Sequence, residues 1–315
     1  MDSFTLLAVE TAHIQSYLFN SNRLKENIGA SYLVAQATEQ WAYQCIVALD
    51  IGHNLKQENK TAPWEIDTTK AHINDNPALD VEVIYSGGGK FFALFRDPEQ
   101  ARAFTRKLSQ KVLKDARGLS LTFVQEDDFD WDTQALSVEV GALLKELPEA
   151  QSEQPLRRGL AGLGVTQMCN SSSLPATHIE EKDGNFRVYS TEVKTKQDAG
   201  HDANEYLRDL LGMEDFRPVL SGLTMQDFAL STELDQLGRT KGQDSYMAVV
   251  HADGNGLGVL IQNLKTTYPT SADNPEYIKH MRNFSEKIKI VNQKAQQAMF
   301  KQIIDSLHTD DEGKT

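Results

Sequence analysis

The chain is poor in cysteine, in long apolar runs and in net positive charge, and each shortage argues against a class of protein. Its two cysteines, Cys45 and Cys169, lie far apart and show neither a disulfide framework nor the spacing of metal ligands. No apolar run reaches the roughly 18 residues that a membrane-spanning helix needs. The first residues, 1–5, lack the basic and apolar regions of a signal peptide. We therefore expect a cytoplasmic protein without a membrane segment.

The charge of the chain bears on its partners. A net charge of −13 argues against a protein that holds DNA or RNA directly through a broad basic surface. A local basic groove or a basic partner subunit is compatible with this charge. With 315 residues, the chain is long enough for about two domains and a sizeable buried core.

The beginning of the chain has the periodicities of a strand followed by a helix. Residues 4–9 form a compact apolar run that predicts a strand, with Glu10 at its end. Apolar residues at helical spacing follow from 14 to 49 and predict a long helix with a bend near Gly29. Residues 52–80 are polar and contain two prolines, so we expect an excursion there.

The next elements complete a domain of recognisable order. They are predicted as strands at 81–85, 91–95 and 119–124, and as helices at 97–116 and 131–147. The order is that of a ferredoxin-like βαββαβ fold, which is also the palm of nucleotidyl transferases and cyclases. This layout brings the glycine-rich hairpin tip at 87–90 beside Glu10. The acidic residues 126–132 lack EF-hand spacing, so we expect a solvated loop leading into a helix.

The rest of the chain divides into a connector and a second palm. Residues 149–243 follow no simple pattern, whereas 246–251 predict a buried strand and 276–307 a long helix. The apolar stripe of this helix is expected to be core: Met281, Phe284, Ile288, Val291, Ala295, Ala298 and Ile303. We therefore predict an α/β (α+β) protein with two ferredoxin-like palm domains, the second incomplete. Its predicted parts are a first palm at 1–148, an irregular helical connector at 149–243 and the start of the second palm at 244–315.

The segment Asp253-Gly-Asn-Gly-Leu-Gly258, after the predicted strand, is the strongest chemical signal in the sequence. Asp253 offers hard oxygen ligands that suit Mg²⁺. The alternating glycines allow the backbone to turn tightly and approach a phosphate before the next helix begins. The pattern therefore predicts a site for a nucleotide phosphate and its metal ion. The alternative is an ordinary strand, turn and helix with Asp253 as a solvated turn residue.

Three motifs resemble a known family. Residues 14–31 resemble the entry to the first palm of the large polymerase/cyclase subunit of type III CRISPR effector complexes. Tyr85–Phe95 resembles the degenerate Gly-Gly hairpin of that palm, and Val250–Gly258 resembles the first strand of the second palm with its Asp-x-Asp-x-x-Gly metal motif. The motifs occur in the order of the family and span most of the chain.

The resemblance implies a function in antiviral defence, where the second palm of the family joins ATP into cyclic oligoadenylates with two Mg²⁺ (or Mn²⁺) ions. It implies that Asp253 is the catalytic residue and metal ligand. The nucleotide-binding residues that it implies are Gly254, Asn255, Gly256, Leu257 and Gly258, together with Ser86, Gly87, Gly88 and Lys90. Gly89 and Lys90 replace the acids of the first hairpin, so that palm would be supportive rather than catalytic.

Two departures from the family leave enzymatic activity open. Asn255 stands where the family has its second acid, and the sequence contains no Gly-Gly-Asp-Asp hairpin. A nucleotidyltransferase or cyclase would need that hairpin from beyond Thr315 or from a partner. The alternatives are a non-catalytic scaffold or a nucleotide-sensing subunit of a defence or ribonucleoprotein complex. The partners expected are a nucleotide and protein subunits of such a complex, and a homo-oligomer is compatible with the sequence.

Overall fold

The secondary structure is defined for residues 3–21, 23–154, 164–182, 184–212 and 257–306 of a computed structural model. The strands are β1 (Ser3–Ala12), β2 (Leu55–Lys56), β3 (Glu65–Ile66), β4 (Val81–Gly87), β5 (Lys90–Phe95), β6 (Ser120–Asp130), β7 (His178–Lys182) and β8 (Asn185–Tyr189). The helices are α1 (Ile14–Leu18), α2 (Leu24–Thr38), α3 (Gln40–Val47), α4 (Pro98–Asp115), α5 (Leu136–Glu153), α6 (Thr191–Gly212), α7 (Leu257–Thr267) and α8 (Asn274–Ser306).

A four-stranded sheet with the order β4-β5-β1-β6 forms the centre of the first part of the chain. Strand β1 pairs antiparallel with both β5 and β6, and β4 pairs antiparallel with β5. Together with the crossing helices, this is the ferredoxin-like arrangement. The predicted α+β fold class is therefore confirmed. The strand predicted at 246–251 lies outside the described residues.

Both faces of the sheet are covered, which explains why β1 is a continuous apolar run rather than an alternating one. Leu7 and Val9 are buried in a cluster with residues of α2, α3 and α4. Leu6 and Ala8 point to the other face and are buried in a cluster with residues of α5, α7 and α8. The two clusters place β1 in the middle of a three-layer core.

The single helix predicted over 14–49 is wrong, because the structure has three helices there. The chain does not bend at Gly29, which lies inside α2, but at Glu39, where φ is −116° and ψ is −96°. At the break, the Ser86 hydroxyl donates to the Thr38 carbonyl at 2.9 Å. Gly29 has a different role, since α6 passes so close that a Cβ would lie 1.8 Å from the Lys196 carbonyl oxygen.

The loop predicted for the acidic residues 126–132 is also wrong over most of its length, because β6 continues to Asp130. Phe129 is buried and pairs with Phe4, so the strand has an apolar anchor within the acidic run. The Thr5 hydroxyl donates to Asp127 Oδ1 at 3.0 Å. A bulge between Phe4 and Leu6 accommodates the extra residue on β6.

The excursion predicted at 52–80 is confirmed, and it closes the outer edge of β4. It contains only the two-residue strands β2 and β3, which pair with each other. The Asn54 side chain makes the two backbone hydrogen bonds with Val83 that a neighbouring strand would otherwise make. Its amide nitrogen donates to the Val83 carbonyl at 3.0 Å, and its amide oxygen accepts from the Val83 N–H at 2.8 Å.

Helix α8 begins close to its predicted start, but only its first part is core. Met281 is buried, whereas Val291 is 61% exposed and Met299 is 50% exposed. A helix of this length spans about 50 Å, which is longer than the face of a small sheet. The prediction of a continuous core stripe is therefore wrong for the second half of α8.

The connector contains regular structure in its described parts. Strands β7 and β8 form an antiparallel hairpin, and α6 packs along α2. No helix within the described ranges is long and apolar enough to cross a membrane.

Candidate functional site

The tip of the β4–β5 hairpin folds back onto the end of β1, as the sequence predicts. Gly88 and Gly89 have φ angles of 59° and 77°, in the left-handed region that favours glycine. The Thr11 N–H donates to the Gly89 carbonyl at 2.8 Å. A Cβ at Gly89 would lie 3.0 Å from Ile14 Cδ1, so a side chain there would meet both strain and crowding.

Glu10 and Lys90 meet at this tip. They are paired in the register of β1 and β5, and the Lys90 ammonium forms an ion pair with the Glu10 carboxylate. Burial lowers the pKa of Lys90. The Lys90 ammonium thus occupies the Glu10 carboxylate, which a metal ion would need as a ligand. Within the described ranges, no group of three or more His, Cys, Asp or Glu side chains could hold a metal ion. The hairpin tip therefore does not fit a metal ion at Glu10.

Ser86, in strand β4, has a structural role. Its side chain is buried and donates to the Thr38 carbonyl. Its carbonyl oxygen accepts from the Ser285 hydroxyl at 3.2 Å. Ser86 therefore connects α2 and α8, and nucleotide contacts through Ser86, Gly87, Gly88 and Lys90 stay a prediction.

A buried ion pair between Glu82 and Arg282 fastens α8 to the sheet. Arg282 Nη2 donates to Glu82 Oε1 at 2.7 Å and to the Val83 carbonyl at 2.8 Å. Glu82 also interacts with His72 Nδ1 at 2.8 Å and accepts from the Ile73 N–H at 2.7 Å. Burial opposes ionisation of Glu82, but the hydrogen bond to His72 and the charge of Arg282 outweigh it and lower the pKa of the carboxyl.

This pair was not predicted from the sequence, although the sequence contains one signal for it. Glu82 interrupts the apolar strand Val81–Tyr85, and a carboxylate there needs a buried partner. The partner lies on a distant helix, so only the tertiary structure could reveal it.

Of the second-palm motif, Asp253, Gly254, Asn255 and Gly256 lie outside the described residues. Residues Leu257–Thr267 form α7, so the predicted helix after the glycine turn is confirmed. Leu257 and Gly258 are the first described residues of this helix. The geometry of Asp253 as a metal ligand stays a prediction.

Comparison with known proteins gives a weak likeness to solved structures and no other match. No protein-family model matches the chain, and no curated protein matches it either. Among solved structures, the crystal structure of the apo Csm1-Csm4 cassette is similar, with 13% sequence identity and a TM-score of 0.31. The match covers 48% of this chain and 18% of that chain. A likeness of this size carries no functional argument.

Proposed function

We propose that the chain is a nucleotide-binding palm protein that holds ATP with Mg²⁺ (or Mn²⁺) at the segment Asp253–Gly258 and acts in antiviral defence. The observation that carries this proposal is that Leu257–Thr267 are helical, as α7, and follow the sequence Asp253-Gly-Asn-Gly. A carboxylate followed by glycines and a helix N-terminus combines a metal ligand with N–H groups that face a phosphate.

The ion pair at the hairpin tip of the first palm supports placing the nucleotide site in the second palm. Lys90 forms an ion pair with Glu10 at the hairpin tip, so that carboxylate is not free for a metal ion. A supportive first palm and a nucleotide-binding second palm divide the roles as the sequence resemblance implies. Turnover would require carboxylates that neither palm of this chain supplies in the described residues, so the proposal is for binding.

Calorimetric titration of ATP tests the proposal. We expect binding that requires Mg²⁺ and that Asp253→Ala weakens by tenfold or more, since hydrogen bonds and contacts to charged groups contribute about 1.5–3 kcal/mol. Glu10→Gln is the matched control, because it removes a carboxylate from the first palm and should leave the affinity unchanged. Absence of heat, together with a melting temperature that ATP and Mg²⁺ do not change, would contradict the proposal.

The second candidate function is a non-catalytic scaffold within a multi-subunit defence complex. Two neutralised ion pairs favour it, Glu10 with Lys90 and Glu82 with Arg282, because each commits charged groups to structure. Under this candidate the protein binds other protein subunits, and Asp253 is a turn residue. The titration above separates the two functions.

A further inference from the structure

A groove of about 230 Å³ lies beside β4, the outer strand of the sheet, and one of its lining residues, Ser285, donates to the Ser86 carbonyl. Strands β2 and β3 form one wall, α8 forms the other, and α3 contributes to the floor. The residues that carry the argument are Tyr43, Lys56, Trp64, Arg282, Ser285 and Lys289. We call this the edge groove.

Arg282 is the fixed part of the edge groove. Its side chain is nearly buried, with only 7% of the residue exposed, and its Nη2 group is used by Glu82 and Val83. Its Nε group, by contrast, has no hydrogen-bond partner among the described residues. A buried donor without an acceptor costs about 1–3 kcal/mol, and a ligand oxygen would offset that cost once a small movement of the Arg282 side chain exposes Nε to the groove.

Two lysines add positive charge to the walls. Lys56 lies on β2 and Lys289 on α8, and both line the edge groove. Lys289 is held only loosely, since its side chain is 60% exposed and its Nζ lies 3.5 Å from Glu39 Oε2. An exposed pair of this kind contributes little stability, so Lys289 can turn toward an anion in the groove at small cost.

Trp64 provides an aromatic surface that is held in place. The Trp64 N–H donates to Gln40 Oε1 at 2.9 Å, and Gln40 Nε2 donates to the Trp64 carbonyl at 3.0 Å. The ring also makes an edge contact with His53. A half-buried indole with a fixed backbone loses little entropy when a planar ring stacks on it.

The carboxylates Glu65 and Glu286 also line the edge groove, so it is not uniformly basic. Cations and carboxylates side by side match a ligand that carries both an anionic group and hydrogen-bond donors. A nucleotide has this combination, with its phosphate on one end and amino and hydroxyl groups on the other. The volume is below the roughly 300–1,000 Å³ of common ligand pockets, which favours a mononucleotide over an oligonucleotide.

We propose that the edge groove is a separate binding site for a nucleoside monophosphate, with the phosphate at Arg282 and Lys289 and the base on Trp64. The site uses no residue of the Asp253 segment. It therefore goes beyond the proposed function and can be correct or wrong independently of it.

Binding of AMP to the Asp253→Ala protein tests the edge groove alone. We expect AMP to bind by calorimetry and to quench tryptophan fluorescence, with the quenching absent in Trp64→Phe. Lys289→Glu should weaken binding roughly tenfold, while the matched control Lys287→Glu, on the same helix but outside the groove, should not. Inorganic phosphate should compete with AMP more strongly than adenosine does. Both lysine substitutions are at exposed positions, so the fold should be retained, and circular dichroism checks this.

Three results would overturn the proposal. The first is the absence of AMP binding to the Asp253→Ala protein at millimolar concentration. The second is equal binding by Lys289→Glu and Lys287→Glu. The third is competition by adenosine but not by phosphate, which would show that the groove does not bind the phosphate of AMP. Loss of ATP binding in Asp253→Ala with AMP binding retained would support two distinct sites.

Discussion

Gly29 and Gly141 lie inside helices α2 and α5, and the same substitution to alanine should have opposite effects at the two positions. At Gly29, an added Cβ would lie 1.8 Å from the Lys196 carbonyl oxygen and 2.6 Å from the Gly200 nitrogen. At Gly141, the nearest atom would be Lys265 Cδ at 4.0 Å, which is an ordinary contact. The difference between the two substitutions in free energy of unfolding therefore measures the effect of the close approach of α2 and α6.

The expected magnitudes follow from these distances. An ordinary contact begins near 3.4 Å, so α2 and α6 would have to separate by about 1.5 Å, and overpacking of this kind costs about 1–3 kcal/mol or more. The clashing atoms belong to the backbone and cannot rotate away, which places the cost at the upper end. The higher helix propensity of alanine stabilises the folded state by about 1 kcal/mol relative to glycine. We expect Gly29→Ala to lower the free energy of unfolding by about 2 kcal/mol and Gly141→Ala to raise it by up to about 1 kcal/mol.

Urea denaturation followed by far-ultraviolet circular dichroism measures both changes. A drop of about 2 kcal/mol should lower the melting temperature by several degrees in a chain of this size. Equal shifts for the two variants would refute the reasoning, because helix propensity alone would then explain both. A stabilised Gly29→Ala protein would show that α6 does not pack against α2 as described.

Two further predictions concern the ion pairs. Lys90→Met should destabilise the fold by about 1 kcal/mol, and combining it with Glu10→Gln should recover part of that loss in a double-mutant cycle, whereas additive effects would contradict the pairing. The pKa of Glu82 is lowered in the folded protein. Ionised Glu82 should therefore stabilise the fold above its ordinary pKa of 4.5, and this stabilisation should be lost as the pH falls through the pKa of Glu82 in the folded protein. Urea midpoints measured down to about pH 3 should therefore fall less steeply in Glu82→Gln, and an unchanged slope would contradict the assignment.

Local signals in the sequence predicted the helices and strands of the four-stranded sheet well. Asp97 before Pro98 predicted the start of α4, and in the structure the Asp97 carboxylate accepts from the Glu99 N–H at 2.8 Å. The glycines at 87–89 predicted the hairpin tip in the same way. Once the order of strands and helices was known, the sheet order followed, because few arrangements bury both faces of such a sheet.

Features that depend on distant contacts could not be predicted. Gly29 looked like a helix bend, but it is glycine because another helix passes against it. The extension of β6 depends on Phe129 pairing with Phe4 across the sheet. Likewise, Glu82 and Arg282 are ordinary charged residues until α8 is packed on β4. In each case the deciding partner lies far away in sequence, where periodicity and turn chemistry carry no information.

The charged groups around the four-stranded sheet differ in whether they still have a hydrogen bond to offer a ligand. At the hairpin tip, Lys90 and Glu10 satisfy each other, and the glycine backbone is folded onto β1. At the outer edge of β4, Arg282 satisfies Glu82 and still has a donor without a partner. At the tip a ligand oxygen must compete with an existing ion pair, whereas at the edge no described residue uses the Arg282 Nε donor. We therefore expect a ligand to bind along the edge of β4 rather than at the hairpin tip, the opposite of what the glycine motif alone predicts.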